Sequence, residues 1–202
     1  IFGRLWRELG IDRAIRQVAE ERRYAFDIER AVYHTVLHRL FEAGSDRASL
    51  VWRDGFRLDG TEGLELHHLY RAMGFLGEEG GDQGKRGQFV PRLNKDRVEE
   101  LLFHGRRDLF TRLDMVFFDT TSLYFEGQGG RNVGQFGHSK DHRPDRKQMI
   151  VGVVLDDRGL PLCCEMWPGN VTDVTTLEQI VKRFQDCFGI GDVCIVADRG
   201  MI

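Results

Sequence analysis

Apolar runs in the second half of the chain follow one another in an order that few folds can accommodate. Four of them have the length and composition of strands, and they lie near residues 115–125, 148–155, 160–166 and 193–197. The second and third runs flank Asp156-Asp157-Arg158-Gly159, which is typical of a hairpin because Gly tolerates a positive φ. Between the third and fourth runs, one helical apolar stripe is formed by Leu177, Ile180, Val181, Phe184 and Phe188.

This order predicts three antiparallel strands followed by a helical crossover. Because such crossovers are right-handed, the fourth strand then lies parallel to the first strand and beside it. The arrangement is the opening of a ribonuclease H-like mixed sheet, so the expected class is α/β with an α-helical region before the sheet. Asp119 in the first strand and Asp198 at the end of the fourth strand become neighbours, although they are far apart in sequence.

Asp119 lies in an unusual place for an acid, inside the apolar strand MVFFDTTSLYF. A carboxylate that is buried in a strand is costly unless a positive charge compensates it, and we therefore expect Asp119 to be matched by a cation. Two neighbouring carboxylates repel each other, and a divalent cation relieves that repulsion. Oxygen-only ligation predicts Mg²⁺, with Mn²⁺ as a substitute, bound by Asp119 and Asp198.

The first half of the chain has helical periodicity instead. Helices are predicted in residues 11–22, 27–44 and 62–77, and in roughly 95–110, with Asp27 as an N-cap and Gly44 as a stop. The predicted apolar stripes include Leu40 and Phe41 in the second helix and Tyr70 in the third. His34 and His38 have zincin spacing without its Glu, so they are interpreted as ordinary helix residues.

A segment rich in Gly and charge, residues 77–88, has no apolar period and is interpreted as a linker. The expected organisation is a helical N-terminal region over residues 1–92 and a catalytic domain over residues 93–202.

A second glycine-rich segment lies between the first two strands. Its part from Arg131 to Lys147 has five Lys or Arg residues against two Asp. It is either a solvated hairpin loop or a surface that holds phosphate, and the candidates for binding DNA backbone are Lys140, His142, Arg143, Arg146 and Lys147. Further on, Asn170 and Asp173 either make local turn contacts or help to shape the site, and Thr120 is a candidate for supporting Asp119.

Three stretches, FFDTTSLYFEG, GHSKDHRPDRKQMIVGVVLDDRGLPLCCEMWPGNVTDVTTL and VCIVADRGM, resemble the DDE transposases of bacterial insertion sequences. The resemblance is to the group with a Tyr-Arg-Glu-Lys type signature, and it covers about residues 113 to 202. It implies that Asp119 is the first acid of the catalytic triad and Asp198 the second. The third acid, a Glu on a later helix, has no match here, so we expect an incomplete catalytic domain that is inactive by itself.

The resemblance also implies metal-dependent cleavage and strand transfer at the ends of an insertion sequence. The expected partner is double-stranded DNA, both transposon ends and target, bound by a homo-oligomer in the cytoplasm, away from membranes. The formal net charge of −3 gives no general argument for nucleic acid, so the local basic residues must supply it. Two alternatives stay open: a ribonuclease H-like nuclease, and an inactive remnant that binds DNA or another subunit.

Overall fold

The computed structural model describes residues 1–80, 92–106, 113–127, 129–130, 132–137, 145–171 and 173–197. It is an α/β structure in which helices accompany a four-stranded mixed sheet. The chain divides into two compact units, Ile1–Gly105 and Arg106–Ile202. Within these described ranges, every helix is too short or too polar to cross a membrane.

Helices make up the described part of the first unit. They are α1 (Phe2–Glu8), α2 (Ile11–Ala19), α3 (Ile28–Phe41), α4 (Asp46–Arg53), α5 (Leu66–Leu76) and α6 (Asn94–Arg106). Two of them begin at side-chain caps. Asp27 Oδ1 accepts a hydrogen bond from the Arg30 amide (3.1 Å), and Ser45 Oγ accepts one from the Ala48 amide (3.2 Å). Asp27 is therefore the N-cap that the sequence predicts.

The helices share one apolar core, in which Ile15, Leu69 and Phe75 are almost completely buried. Tyr70, which the periodicity assigns to the same apolar stripe as Leu69, is 55% exposed. The prediction is wrong at Tyr70 because neighbouring positions on a helix point in different directions, and only Leu69 faces the core.

Burial along α3 also differs from the predicted stripe. Leu40 and Phe41 are 67% and 56% exposed, and the helix ends at Phe41, before Gly44. Polar side chains occupy part of the buried surface instead, since His34 and His38 are both buried. The periodicity fails here because it counts apolar residues only, whereas the imidazoles take core positions in the middle of this helix.

A fully buried carboxylate, that of Glu29, lies in the first unit. It accepts hydrogen bonds from Trp6 Nε1 (2.7 Å), Arg16 Nη2 (2.6 Å) and Arg30 Nε (2.8 Å). Burial raises the pKa of the Glu29 carboxyl, but the donors, Arg30 foremost, outweigh that effect, and the pKa lies below its ordinary value. Glu29 is therefore a charged group whose hydrogen-bonding capacity is used inside the fold.

Residues 78–80 and 92–94, on either side of the undescribed segment 81–91, are joined inside the first unit. The Gly80 amide donates to the Arg92 carbonyl (2.8 Å), and the Asn94 amide donates to the Glu78 carbonyl (2.9 Å). These bonds flank an isolated antiparallel bridge between Glu79 and Leu93. Residues 81–88 of the predicted linker lie outside the described residues. The boundary between the compact units falls further along the chain, after Gly105.

The second unit contains the sheet. Its elements are β1 (Met115–Tyr124), β2 (Gln148–Asp156), β3 (Pro161–Pro168), α7 (Asp173–Arg183), a π-helical turn (Phe184–Phe188) and β4 (Cys194–Ala197). The strand order is β3-β2-β1-β4, and only the pairing of β1 with β4 is parallel among the strands described. The predicted strands, and the return of the fourth strand beside the first, are confirmed.

The hairpin between β2 and β3 is the one that the sequence indicates. Gly159 has a φ of 77°, which a residue with a side chain adopts only with strain. Asp156 Oδ1 accepts hydrogen bonds from the amides of Arg158 (3.0 Å) and Leu160 (2.7 Å). The side chain of Asp156 therefore stabilises this turn.

Strand pairing sorts the side chains of the sheet onto two faces, because residues opposite each other point to the same side. We call one of them the covered face, on which Val116, Phe118, Thr120 and Ser122 of β1 are buried. The helical segment after β3 packs there. Trp167 Nε1 donates to Gln179, and Arg183 forms a buried ion pair with Glu165.

The other side of the sheet, which we call the open face, carries the alternate residues of β1. Its exposed apolar side chains include Met115, Phe117, Leu123, Val153, Met166 and Val196, each between 37% and 47% exposed. Strand register brings them together, since Phe117 pairs with Val196 in the sheet. The candidate site lies on the apolar open face, and the packed core lies on the opposite side of the sheet.

Candidate functional site

Asp119 lies on the open face of the sheet, at the centre of β1. Its side chain is exposed, whereas the sequence argument treats it as buried. That part of the prediction is wrong, and the reason is the two-residue period of the strand: Asp119 shares a side with Phe117, and Phe118 takes the core position. An exposed carboxylate needs no buried cation for stability, so the cost of burial gives no argument for a metal here.

The carboxylate of Asp119 nevertheless lies in a distinctive environment. Its partner across the sheet is Val153, and Phe117 is the next residue of β1 on the same side. Among the strand residues described on the open face, Asp119 is the one with a charged side chain. Apolar neighbours lower the local dielectric, which strengthens the attraction between the carboxylate and a bound cation.

Hydrogen bonding leaves most of this carboxylate accessible. The Thr120 amide donates to Asp119 Oδ1 (2.7 Å), which fixes the direction of the side chain. Thr120 itself points to the covered face and is 5% exposed, so it reaches Asp119 through its backbone rather than its hydroxyl. The next hydroxyl on the open face belongs to Thr121, which is exposed. Sequence reasoning missed Thr121, although the alternation of the strand could have indicated it.

The parallel pairing of β1 with β4 bears on Asp198, the second predicted acid, which follows β4 in the sequence. Phe118 pairs with Ala197, and the register continues back to Met115 and Cys194. Asp119 follows Phe118, and Asp198 follows Ala197, but Asp198 lies beyond the described residues. The predicted proximity of the two carboxylates therefore stays a prediction, supported by the pairing of the residues before them.

Other candidates lie at the edge of the sheet where β1 ends, β2 begins and β3 ends. The Phe125 amide donates to the carbonyl of Lys147 (2.8 Å), and Arg146 donates to the Glu126 carbonyl (3.2 Å) and pairs with Asp145 (3.5 Å). The side chains of Arg146 and Lys147 are both partly exposed.

This edge is some distance from the acid. Asp119 and Tyr124, the last residue of β1, are five positions apart, or about 17 Å along an extended strand. The basic pair, Arg146 and Lys147, is therefore in a position to contact a different phosphate from the one at Asp119. Lys140, His142 and Arg143 are not among the residues that the structure describes.

Asn170 and Asp173 follow β3 at the same edge. Asn170 is exposed in the turn two residues after Pro168, and Asp173 is the first residue of α7. The side chain of Asp173 lies outside the described part, so its predicted role stays a prediction.

The glycine-rich segment after β1 has a firm backbone in residues 132–137. Gln135 and Gln148 exchange two backbone hydrogen bonds (3.0 and 2.9 Å), and the Gly169 amide donates to the Val133 carbonyl (3.2 Å). A Cβ on Gly137 would lie 1.8 Å from the Gly169 carbonyl oxygen, so only glycine fits there. Gly137 and Gly169 therefore allow two segments of backbone to approach each other closely at this edge of the sheet.

Within the described ranges, no group of three or more His, Cys, Asp or Glu side chains is arranged to hold a metal ion. Asp198 is not among the residues to which that statement applies. The oxygen donors available at the open face are those of Asp119 and Thr121, which suit Mg²⁺ or Mn²⁺ rather than a softer metal.

Comparisons of this chain with protein-family models, with curated proteins and with solved structures gave no match. The candidate site therefore stands on its own residues: an exposed acid on an apolar sheet face, a parallel neighbouring strand and a basic pair at the sheet edge.

Proposed function

We propose that this chain belongs to a DDE-type DNA transposase with a ribonuclease H-like catalytic domain, which cleaves phosphodiester bonds at insertion-sequence ends and joins them to target DNA. The observation that carries the proposal is the parallel register of β1 and β4, in which Phe118 pairs with Ala197. The residues that follow them, Asp119 and Asp198, are the acids that the sequence resemblance assigns to catalysis.

The residues present fit a hard divalent cation. Asp119 offers an exposed carboxylate that the Thr120 amide orients, and Asp198 would supply further oxygen donors from the neighbouring strand. Bound Mg²⁺ would stabilise the charge that develops on the phosphate and would lower the pKa of a bound water. A third acid is required by the resemblance, and this chain has no residue that matches it.

The chain's own groups have separate parts in the proposed reaction. Water attacks the phosphorus, a P–O bond forms, and the bond to the 3′ oxygen breaks, which leaves a 3′-hydroxyl on the transposon strand. That hydroxyl then attacks a target phosphate in the same way, without a covalent enzyme intermediate. Asp119 and Asp198 would hold the cation beside the reacting phosphate, and Arg146 and Lys147 would hold DNA backbone nearby.

The test is cleavage of a duplex that carries the element's end, in the full-length protein with Mg²⁺ or Mn²⁺. We expect Asp119→Asn and Asp198→Asn each to abolish cleavage, because each removes a metal-binding charge but keeps the shape of the side chain. DNA binding should be unchanged or slightly stronger. Asp157→Asn, in the exposed hairpin turn, is the matched control and should retain full activity.

A second readout separates metal binding from activity. Titration of Mn²⁺ followed by electron paramagnetic resonance should show weaker binding in both Asn variants and unchanged binding in the Asp157 control. Full cleavage by either Asn variant would contradict the assignment. Cleavage of RNA–DNA hybrids in preference to transposon ends would favour a nuclease instead. Strong cleavage by the 202-residue chain alone would contradict the need for a later acid.

A further inference from the structure

The first unit contains a cleft of about 410 Å³ that is unrelated to the acids of the sheet. It lies between α1, α3 and the segment that follows α4. Its volume is within the range of about 300–1,000 Å³ that is usual for ligand sites in proteins. Two kinds of side chain dominate its lining, arginines and aromatic rings, and each kind points to the same class of ligand.

The aromatic rings form a continuous ladder along one wall. Phe2 and Phe41 have centroids 5.1 Å apart, Phe41 and Trp52 6.2 Å apart, and Trp52 and Phe56 4.6 Å apart. Phe2, Phe41 and Phe56 are between 41% and 56% exposed. Single exposed apolar side chains are common on protein surfaces, but three exposed rings connected through the partly buried Trp52 are a mark of an interaction site.

The arginines surround this wall. Four of them line the cleft, Arg4, Arg7, Arg30 and Arg57, against one acid, Asp59. Arg30 is held over the ring of Tyr33, 4.3 Å from its centroid, by its bonds to the buried Glu29.

The remaining arginines are available to an anion. Arg4 pairs with Glu8 (2.7 Å) and Arg57 with Asp59 (3.2 Å), and all four side chains are more than half exposed. Exposed pairs of this kind contribute little energy, so both arginines can exchange a carboxylate for a phosphate. The Arg7 side chain is exposed, and no residue in the described part of the chain accepts a hydrogen bond from its guanidinium.

We propose that this cleft binds single-stranded nucleic acid, with a base against the aromatic ladder and the adjoining phosphates on Arg4, Arg7 and Arg57. Stacking on exposed rings beside a positive groove is the general mode by which proteins hold unpaired nucleotides. An acidic peptide would match the arginines but would leave the flat ring faces without a planar partner. The inference concerns the first unit alone and needs neither Asp119 nor a metal ion.

The experiment measures binding of a fluorescein-labelled oligothymidylate of twelve nucleotides to the whole chain by fluorescence anisotropy at low salt. We expect Phe56→Ala, which preserves charge, and Arg7→Glu each to weaken binding by about tenfold, the loss expected for one stacked base or one phosphate contact. Arg47→Glu is the control, because it makes the same charge change at an exposed position of α4 outside the cleft. It should weaken binding less than about twofold.

Each other outcome contradicts the proposal in a specific way. Equal losses in Arg7→Glu and Arg47→Glu would mean general electrostatic attraction rather than a cleft. Unchanged binding by Phe56→Ala, with circular dichroism equal to that of the parent chain, would exclude stacking. Equal affinity for duplex DNA would exclude a preference for an unpaired strand. Tighter binding of a labelled polyglutamate peptide, sensitive to the same substitutions, would assign the cleft to an acidic protein partner.

Discussion

Each of the two units contains one notable carboxylate, and the two differ in burial and in hydrogen bonding. In the first unit Glu29 is fully buried, and Trp6, Arg16 and Arg30 donate to it. In the second unit Asp119 is exposed on an apolar sheet face and is oriented by one backbone amide. A carboxylate whose acceptor sites are filled serves the fold, whereas one that is held in place but left accessible is free to bind a ligand.

The largest expected effect tests this contrast directly. Glu29→Gln should lower the free energy of unfolding by about 3 kcal/mol, because Arg16 and Arg30 would face a neutral amide in a buried position. Asp119→Asn should change it by no more than about 0.5 kcal/mol, since the side chain is exposed. Urea denaturation followed by circular dichroism measures both. Similar losses in the two variants would show that the contrast between the units does not hold.

The contrast also shows how far the sequence predicts the molecule. Strand positions, the Gly159 hairpin and the return of β4 beside β1 follow from local patterns and chain handedness, which a sequence carries directly. Which face of β1 would be covered does not follow, because both sides of that strand are largely apolar. The exposure of Asp119 is therefore missed even though its strand is correctly predicted.

Glu29 shows the opposite error, because its burial is not predicted from the sequence. Nothing in DIERAV distinguishes Glu29 from a surface acid, because its donors Trp6 and Arg16 come from earlier helices. The approach of Gly137 to Gly169 is likewise a contact between distant segments, and a glycine-rich stretch alone does not indicate its partner. The predicted features thus follow from local patterns and chain handedness, whereas Glu29 and Gly137 depend on which individual groups meet between elements.

A middle-sized effect is expected at the glycines of the sheet edge, where two backbone segments of the second unit pack closely together. Gly137→Ala should destabilise the second unit by at least about 2 kcal/mol, because the added methyl group would meet the Gly169 carbonyl. Gly127→Ala is the control, as a methyl group added there would meet no described atom within 4 Å. Thermal unfolding compares them, and equal midpoints would contradict the close packing of these backbones.

The smallest expected effect concerns pH and the first unit. Burial foremost, and then Arg53 and His38, lower the pKa of His34, while Ser49 and Asp46 partly oppose them. Ser49 Oγ donates to the Asp46 carbonyl (2.7 Å), so the imidazole Nε2–H donates to Ser49 (3.0 Å). His34 Nδ1 is buried without a hydrogen-bond partner in the described part of the chain, so a proton added there would have no acceptor and the neutral ring is favoured.

Because the folded pKa of His34 is lowered, the unfolded chain binds more protons below its ordinary value of about 6.5. Stability should therefore fall as the pH decreases from about 6.5, with a slope of at most about 1.4 kcal/mol per pH unit. His34→Gln keeps an N–H donor and should remove this slope. His67→Gln, at an exposed position, should retain it. Urea titrations at several pH values provide the measurement, and a slope that persists in His34→Gln would assign the effect to another group.

The bridge between Glu79 and Leu93 has a practical consequence for engineering this chain. Backbone bonds from Gly80 to Arg92 and from Asn94 to Glu78 hold the residues on either side of this bridge. Glu79 is exposed, so a fluorescent label on a cysteine placed there should leave the helices of the first unit intact, which makes this position a convenient handle for labelling.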